Sequence, residues 1–188
     1  MHKLTEHSEV SKKNLIALTI ASGALVLMLA FTIYNWIMLG IRNPLEVFFI
    51  AMFIFVLAER AGGKYTYELD KKVLHIIKRS LFGRVTMYEV PYKDIVGIYF
   101  YKPKLVGVIK FRRTYRLHSA LDRRNVWTIA YAVSDQVGKT EHRRIYFKPG
   151  DAMLTALQEQ LLGKVMVSEE TVVTSILKDE DKSKHPNH

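Results

Sequence analysis

A long uncharged apolar run near the N-terminus constrains this chain more than any other feature. No charged residue occurs between Asn14 and Ile41, and a second uncharged run extends from Val47 to Ala58. An apolar run of more than about 18 residues is typical of a membrane span rather than of a soluble helix. The first run therefore predicts a membrane-spanning helix. The second run is shorter, and by length alone it also fits a re-entrant or interfacial segment.

The residues that flank the second run favour a second helix. Asn43 is a good helix N-cap, Pro44 suits the first helical position, and Gly62 and Gly63 end the run. We expect a transmembrane hairpin over residues 14–61, with helices at about 14–39 and 44–60. A cleaved signal peptide is the competing interpretation of the first run, but its apolar region is longer than the usual stretch of about 7 to 15 residues.

The distribution of basic residues around the two runs predicts the orientation. The lysines and arginines on the outer flanks are Lys3, Lys12, Lys13, Arg60, Lys64, Lys71 and Lys72. The short connection between the runs contains only Arg42. Because positive residues near membrane helices stay in the cytoplasm, we expect a multi-pass protein of the inner membrane with both termini cytoplasmic.

Small side chains in the first run provide candidate positions for helix packing. Small residues let two helices approach closely in lipid, where apolar burial does not drive association. The candidates are Ala21, Ser22, Gly23 and Ala24. A partner helix on this side would make the protein a subunit of a larger membrane assembly.

The charge of the chain is concentrated after the apolar runs. The 188 residues have a net charge of +10, and residues 64–148 contain 19 Lys or Arg against 7 Asp or Glu, a balance of +12. The chain has no cysteine, which excludes disulfides, thiolate metal sites and cysteine nucleophiles.

Alternating apolar residues predict about seven short strands after Gly63. In the first of these, Tyr65, Tyr67 and Leu69 alternate with polar residues. The expected strands lie at about 65–69, 73–77, 85–90, 95–101, 105–115, 126–133 and 142–148. Several short strands separated by turn residues are typical of an antiparallel sandwich or barrel.

One amphipathic helix is expected to close this domain. Asp151 is a good N-cap, Gly163 suits the C-terminal cap, and the leucine-rich residues between them fall on one face. A weak helix with an apolar stripe at Val172 and Ile176 could follow, and the polar residues 178–188 are expected to be disordered. The predicted segments are 1–13 (cytoplasmic), 14–61 (transmembrane hairpin), 64–164 (β domain) and 165–188 (a partly disordered tail).

This order of elements resembles the bacterial membrane-anchored pleckstrin-homology-like (PH-like) proteins. Residues 65–77 resemble the opening hairpin of those domains, and residues 90–95 resemble their apolar-Pro-x-x-x-Ile step. The segment from Phe147 to Pro149, followed by Leu154 and Leu157, resembles their closing strand–Pro–helix junction. The resemblance covers about residues 15–164. It implies an α+β, mostly β fold: a two-helix transmembrane hairpin, then a seven-stranded antiparallel PH-like barrel or sandwich capped by one C-terminal helix.

The chain departs from the phosphoinositide-binding members of the wider fold. Those proteins place several basic residues in and after the first hairpin, which Lys71, Lys72, Lys78 and Arg79 only loosely match. Inositol-lipid specificity is therefore not carried over. The long basic segment from Arg112 to Arg124 has no counterpart with a known role in the family.

Motifs that would indicate catalysis are absent from the sequence. There is no phosphate-binding Gly-x-x-x-x-Gly-Lys, no dinucleotide-binding glycine pattern and no Gly-x-Ser-x-Gly. The histidines are scattered, and none has the spacing of a metal-binding helix. We therefore expect no catalytic residue, no metal and no cofactor, although an active site assembled in space would leave no such motif.

The basic residues are the main candidate site. The candidates that could face lipid or a partner are Lys71, Lys72, Lys78, Arg79, Arg84, Lys110, Arg112, Arg113, Arg116, Arg143 and Arg144. Anionic lipid attracts such side chains by about 1 kcal/mol each. If the clusters share one face, that face would lie on the membrane. One alternative is a solvated basic surface. The other is nucleic-acid binding, which the tyrosines interleaved with the basic strands favour and the membrane anchor disfavours.

These observations predict a non-enzymatic interaction module. Its membrane anchor would hold a cytoplasmic β domain that binds a protein or peptide partner, or an anionic lipid surface. The alternative is a small accessory subunit of a transporter or membrane enzyme complex that packs through its helical hairpin.

Overall fold

A computed structural model describes residues 4–40, 43–102, 111–134 and 140–184 of the chain. Within these ranges it has four helices and two four-stranded sheets, an α+β architecture. In chain order the elements are β1 (Leu4–His7), α1 (Lys12–Leu39), α2 (Pro44–Gly62), β2 (Lys64–Leu69), β3 (Val73–Arg79), β4 (Val85–Pro91), a 3-10 turn (Tyr92–Asp94), β5 (Ile95–Phe100), β6 (Arg113–Arg116), β7 (Trp127–Ser134), β8 (Thr140–Phe147), α3 (Asp151–Gln160) and α4 (Glu169–Lys184).

The two sheets differ in how their strands are connected. The first has the order β1-β2-β3-β4 and is antiparallel throughout. The second has the order β5-β7-β8-β6, in which β6 runs parallel to β8. Strand β1 precedes both long helices, yet it pairs with β2, which follows them, in a register from Leu4 opposite Leu69 to His7 opposite Thr66.

The main core lies between the sheets. Tyr67, Leu74 and Ile76 of the first sheet pack with Ile129 and Phe147 of the second. The first sheet buries alternate residues because only one of its faces is covered. Strands β5 and β7 have longer buried stretches. Both faces of the second sheet are covered, so its strands lack clean alternation.

The two C-terminal helices cover different surfaces. Helix α3 contributes Met153, Leu154 and Leu157 to the main core. Helix α4 places Val172 and Ile176 against the other face of the second sheet, where they pack with Tyr99 and Ala130. Helix α4 reaches Lys184, so it occupies much of the segment expected to be a polar tail.

The predicted seven-stranded antiparallel barrel with one capping helix is wrong. The described strands form two separate sheets, one of them mixed, and two helices follow the last strand. The sequence pattern did not reveal β1, whose four residues pair with a strand on the far side of two long helices. Of the strand predicted at 105–115, residues 105–110 lie outside the described residues, and β6 begins only at Arg113.

The prediction of two membrane spans also needs correction. Within the described ranges, α1 is the one helix long and apolar enough, by length and composition, to cross a membrane. The 19 residues of α2 include Glu46, Glu59 and Arg60. Its uncharged stretch therefore measures only about 18 Å along the helix axis, less than the roughly 30 Å hydrocarbon core. The structure thus supports one candidate span rather than two.

Candidate functional site

A cluster of charged side chains fixes β1 to the rest of the β domain. The Arg124 guanidinium donates to both carboxylate oxygens of Asp122, with distances of 3.1 Å from Nε and 2.6 Å from Nη2, and it is ion-paired with Glu6. The Glu6 carboxylate also accepts a 2.7 Å hydrogen bond from the backbone of Gly150. One arginine thereby joins the strand before α1, the loop at 117–124 and the start of α3.

The same loop holds the first turn of α1. The carbonyl oxygen of Leu121 accepts from the backbone N–H of Ser11 at 2.9 Å and from the side-chain amide of Asn14 at 3.3 Å. The Asp122 carboxylate accepts from the backbone N–H of Glu9 at 3.2 Å. Helix α1 therefore leaves the β domain from a fixed starting point, without a flexible linker.

The buried side chains of Lys148 and Tyr67 hydrogen-bond to the backbone of this loop. Lys148 donates through Nζ to the backbone carbonyl oxygens of Asp122 and Ser119. The Tyr67 hydroxyl donates to the backbone carbonyl oxygen of Leu117 at 2.9 Å. Burial lowers the pKa of Lys148, against the effect of nearby Asp122, and burial raises the pKa of Tyr67. Both polar groups bind backbone oxygens, which gives them a role in shaping the loop.

The end of α2 is attached to the turn between β3 and β4. Glu59 forms an ion pair with Lys78 at 3.2 Å and accepts a 2.8 Å hydrogen bond from the Ser80 hydroxyl. The rings of Phe55 and Phe82 stack with centroids 5.8 Å apart. Both ends of the helical pair are thus bound to the β domain by side chains as well as by the chain itself.

The structure separates the basic candidates of the first sheet. Lys71 and Lys72 are exposed in the β2–β3 turn, at the opposite end of the strands from α2. Lys78 forms an ion pair with Glu59. Arg79 and Arg84 are exposed on either side of the β3–β4 turn, beside the end of α2.

The candidates of the second sheet form a different group. Arg112 and Arg143 both bind the carboxylate of buried Glu141, at 3.2 Å in the case of Arg143. Arg113 pairs with Arg143 across the β6–β8 ladder. Lys110 lies outside the described residues. The basic candidates therefore do not share one face, and a single lipid-facing surface made of all of them does not exist among the described residues.

Arg144 is the centre of an arginine–aromatic surface on the outer side of the second sheet. Its guanidinium carbon lies 5.0 Å from the ring centre of Phe111 and 5.3 Å from that of Tyr146, and its Nε donates to the Thr114 hydroxyl at 2.9 Å. Tyr101 contacts Tyr146 edge to face at 4.9 Å. We define the arginine–aromatic surface as Tyr101, Lys102, Phe111, Arg116, Arg144 and Tyr146, of which Tyr146 is buried and the others are exposed or partly exposed.

Helix α4 borders this surface with an acidic group. Burial raises the pKa of the Glu169 carboxyl, against the opposing effect of Arg144. Burial also raises the pKa of Tyr146, again opposed by Arg144. Cation–π contacts and the Thr114 hydrogen bond orient the guanidinium of this arginine.

The small residues of α1 lie on an open side of that helix. A side chain at Gly23 would meet no described atom within 4 Å. Ala21 and Ala24 are exposed and Ser22 is partly so. The polar contact between α1 and α2 is made elsewhere, by the Thr32 hydroxyl and Glu46 at 3.0 Å. Helix α2 therefore leaves the small-residue side of α1 uncovered.

The described residues contain no group of three or more His, Asp or Glu side chains that could hold a metal ion. His75 lies 3.6 Å from Glu89, and His142 is buried. The expectation of no catalytic residue, metal or cofactor stays a prediction. The residues that join the helices to the β domain, Glu6, Glu59, Asp122 and Arg124, were not among the sequence candidates, because isolated charged residues carry no local signal of their partners.

Comparison with known proteins adds no identification: no protein-family model matches the chain, and neither a curated protein nor a solved structure shows significant similarity. The resemblance to PH-like proteins stays a prediction.

Proposed function

We propose that this protein is a membrane-anchored, non-enzymatic interaction module, whose β domain is rigidly mounted on a membrane helix and binds a protein or peptide partner. The pairing of β1 with β2 carries this proposal. One strand lies before α1 and the other after α2, and both belong to one sheet. The chain therefore leaves the β domain through α1 and re-enters the same sheet after α2, so both helices join the β domain at the same end.

The length of α1 is consistent with such an anchor. The 28 residues of α1 correspond to about 42 Å, enough to cross a bilayer with some tilt. The 19 residues of α2 pack along α1 and lead the chain back to the β domain, although their uncharged stretch alone is shorter than the hydrocarbon core. Its Glu46 side chain is supported by Thr32 and Asn43, which lessens the penalty for a carboxylate near lipid.

The positive residues orient this arrangement. Lys12, Lys13 and Lys64 lie where the helical pair joins the β domain, on the same side as Arg79 and Arg84. The positive-inside rule then places the β domain, with both termini, in the cytoplasm. The protein would be part of the cell membrane with its interaction surfaces facing the cytoplasm.

The arginine–aromatic surface supports partner binding. An oriented guanidinium between aromatic rings suits a carboxylate beside an apolar or aromatic side chain, so the expected partner is an acidic peptide segment. The exposed charges of Lys102 and Arg116 at its margin would accelerate encounter with an acidic partner. Arg and Tyr are also common among residues that dominate binding energy at interfaces.

Site-specific photocrosslinking in native membranes tests this function. A photoreactive amino acid replaces Arg116, on this surface, or Thr155, an exposed residue of α3 that serves as the control position. We expect a reproducible adduct from position 116 that weakens when Arg144→Gln is added. Equal adducts from both positions, or adducts at 116 that Arg144→Gln leaves unchanged, would contradict partner binding at this surface.

An accessory subunit is the second candidate function, favoured by the uncovered small-residue side of α1. A neighbouring transmembrane helix could approach Gly23 closely, because no described atom occupies the space beside it. Gly23→Leu should then dissociate a complex on native gels, whereas Leu27→Ile, at another exposed α1 position, should not. A complex that survives Gly23→Leu would leave the peptide-binding module as the better account.

A further inference from the structure

An apolar tip projects from the β domain beside the end of α2. It is formed by Leu81 and Phe82 in the β3–β4 turn, whose side chains are 52% and 68% exposed. Gly83 completes the turn with a φ of +79°, a conformation that favours glycine. Two large apolar side chains side by side at the end of a hairpin are unusual for a surface that faces only water.

The tip is continuous with the apolar surface of α2. Phe82 stacks on Phe55, itself 56% exposed on the helix. The Leu81 Cδ1 atom lies 2.5 Å from where a Cβ on Gly62 would stand, so the glycine permits this close approach. Ser80 and Lys78 fix the turn to Glu59. Wherever the last turns of α2 contact lipid, this tip contacts it too.

Exposed positive side chains surround the same end of the molecule. Arg79 and Arg84 flank the tip, and Lys64 pairs with Arg79 across the β2–β3 ladder. Arg123 follows the residues that bind the first turn of α1, which begins with Lys12 and Lys13. We define the membrane-proximal ring as Lys12, Lys13, Lys64, Arg79, Arg84 and Arg123, all exposed.

We propose that this end is a lipid-docking surface: Leu81 and Phe82 insert below the phosphates of the leaflet next to the β domain, and the membrane-proximal ring binds anionic headgroups. An apolar side chain inserted among basic residues is the arrangement by which interfacial segments bind anionic membranes. The inference rests on the proposed anchor, and it adds that the domain lies on the membrane at a set tilt. Lys71 and Lys72, at the other end of the strands, face away.

Depth measurements on the full chain in vesicles test the proposal. Because the chain has no cysteine, a single spin label can be attached at Val85→Cys near the tip, at Lys71→Cys at the opposite end, or at Leu27→Cys on α1. The protein is reconstituted in phosphatidylcholine, with or without phosphatidylglycerol, and collisions of each label with oxygen and with a water-soluble nickel complex are compared. Monodisperse elution confirms that each variant folds.

We expect the Val85 label to lie at or below the lipid phosphates and the Lys71 label to lie in water. Phe82→Ser should move the Val85 label towards the aqueous value, whereas Leu162→Ser, at an even more exposed apolar residue after α3, should not. In vesicles with phosphatidylglycerol, the pair Arg79→Gln and Arg84→Gln should make the Val85 label shallower. The matched pair Lys71→Gln and Lys72→Gln should leave it unchanged.

The outcomes separate this inference from the anchor itself. A Val85 label as accessible to nickel as the Lys71 label, with the Leu27 label buried in lipid, would overturn the docking surface and leave the anchor intact. A Leu27 label accessible to nickel would overturn both. Equal effects of the two arginine and the two lysine substitutions in anionic vesicles would overturn headgroup binding by the ring.

Discussion

At the scale of single residues, Arg124 joins the strand that leads into α1 to the rest of the β domain. Its guanidinium binds Asp122, whose side chain is 0% exposed, and Glu6, which lies in the strand before α1. The positive charge compensates a carboxylate that has no access to water. Loss of the arginine would leave the buried Asp122 side chain hydrogen-bonded only to backbone N–H groups.

Arg124→Ala is therefore expected to lower the free energy of unfolding by about 3 kcal/mol, the typical effect of removing one partner from a buried pair. Arg123→Ala is the control, since that neighbouring side chain is exposed and should change stability by less than about 0.5 kcal/mol. Chemical unfolding in detergent micelles measures both. Similar small effects for the two variants would show that the charged cluster does not hold the domain together.

Glu169 makes stability depend on pH. Burial raises the pKa of its carboxyl in the folded chain, so the folded state binds a proton more tightly than the unfolded state. Stability therefore falls as pH rises from the ordinary glutamate pKa through the raised one, and the ionised carboxylate is unfavourable at neutral pH.

Glu169→Gln should accordingly raise the melting temperature at pH 7 and leave it unchanged near pH 4. Glu170→Gln, also in the first turn of α4 but exposed, removes the same charge from the helix end and should give a smaller gain, because burial contributes more than the Glu170 charge to the raised pKa of Glu169. Thermal unfolding at the two pH values provides the comparison. A Glu169→Gln variant that melts below the wild type at pH 7 would mean that attraction to Arg144 outweighs burial.

At the scale of secondary-structure elements, the contact of α4 with the second sheet depends on Gly97. A Cβ at this position would lie 2.5 Å from a Val172 methyl carbon and 3.1 Å from one of Val167. The glycine therefore lets the helix approach the sheet closely enough to bury Val172 and Ile176. This packing also positions Glu169 beside the arginine–aromatic surface.

Gly97→Ala should displace α4 and destabilise the domain by about 1–3 kcal/mol, the usual range for overpacking. Adding Val172→Ala should make room for the new methyl group, so the double variant should lose less stability than the sum of the two single variants. A double-variant cycle of unfolding free energies measures this coupling. Strictly additive losses would contradict the close contact.

Elements defined by local pattern could be predicted from the sequence, and those defined by distant pairing could not. Strands β2 and β3 follow from alternation, and α3 follows from its leucine spacing, because these are properties of neighbouring residues. The predicted caps of α3 were wrong: Gly150, not Asp151, is the N-cap, and Leu161, not Gly163, is the C-cap. Strand β1 has only four residues, and its partner follows two long helices. The parallel pairing of β6 with β8 is equally non-local, so the expected antiparallel barrel was wrong.

The candidate site was predictable in kind but not in arrangement. The basic residues were predicted to face lipid or a partner, and two of them, Arg116 and Arg144, lie in the arginine–aromatic surface. The sequence did not show that Lys78 is ion-paired with Glu59, or that Arg112 and Arg143 share the carboxylate of Glu141. Glu59 lies on α2, a different element from its partner Lys78. Glu141 lies on β8 with Arg143, and only the fold brings Arg112 to the same carboxylate.

At the scale of the whole molecule, the two long helices and the β domain form one connected structure. The chain begins in the first sheet, leaves through α1, returns through α2 and resumes the same sheet. The contacts of Arg124 and Glu59 fix both exits. Such a mounting would hold the arginine–aromatic surface at a defined height above the membrane, which a flexible tether would not.

The most direct test of this account determines on which side of the membrane the residues before α1 and after α2 lie. Single cysteines at Glu9, before α1, and at Lys71, after α2, are labelled with a membrane-impermeant maleimide in intact and permeabilised cells. The account predicts that both sites react only after permeabilisation, since β1 and β2 share one sheet in the cytoplasm. Labelling of the two sites from opposite sides of the membrane would contradict it.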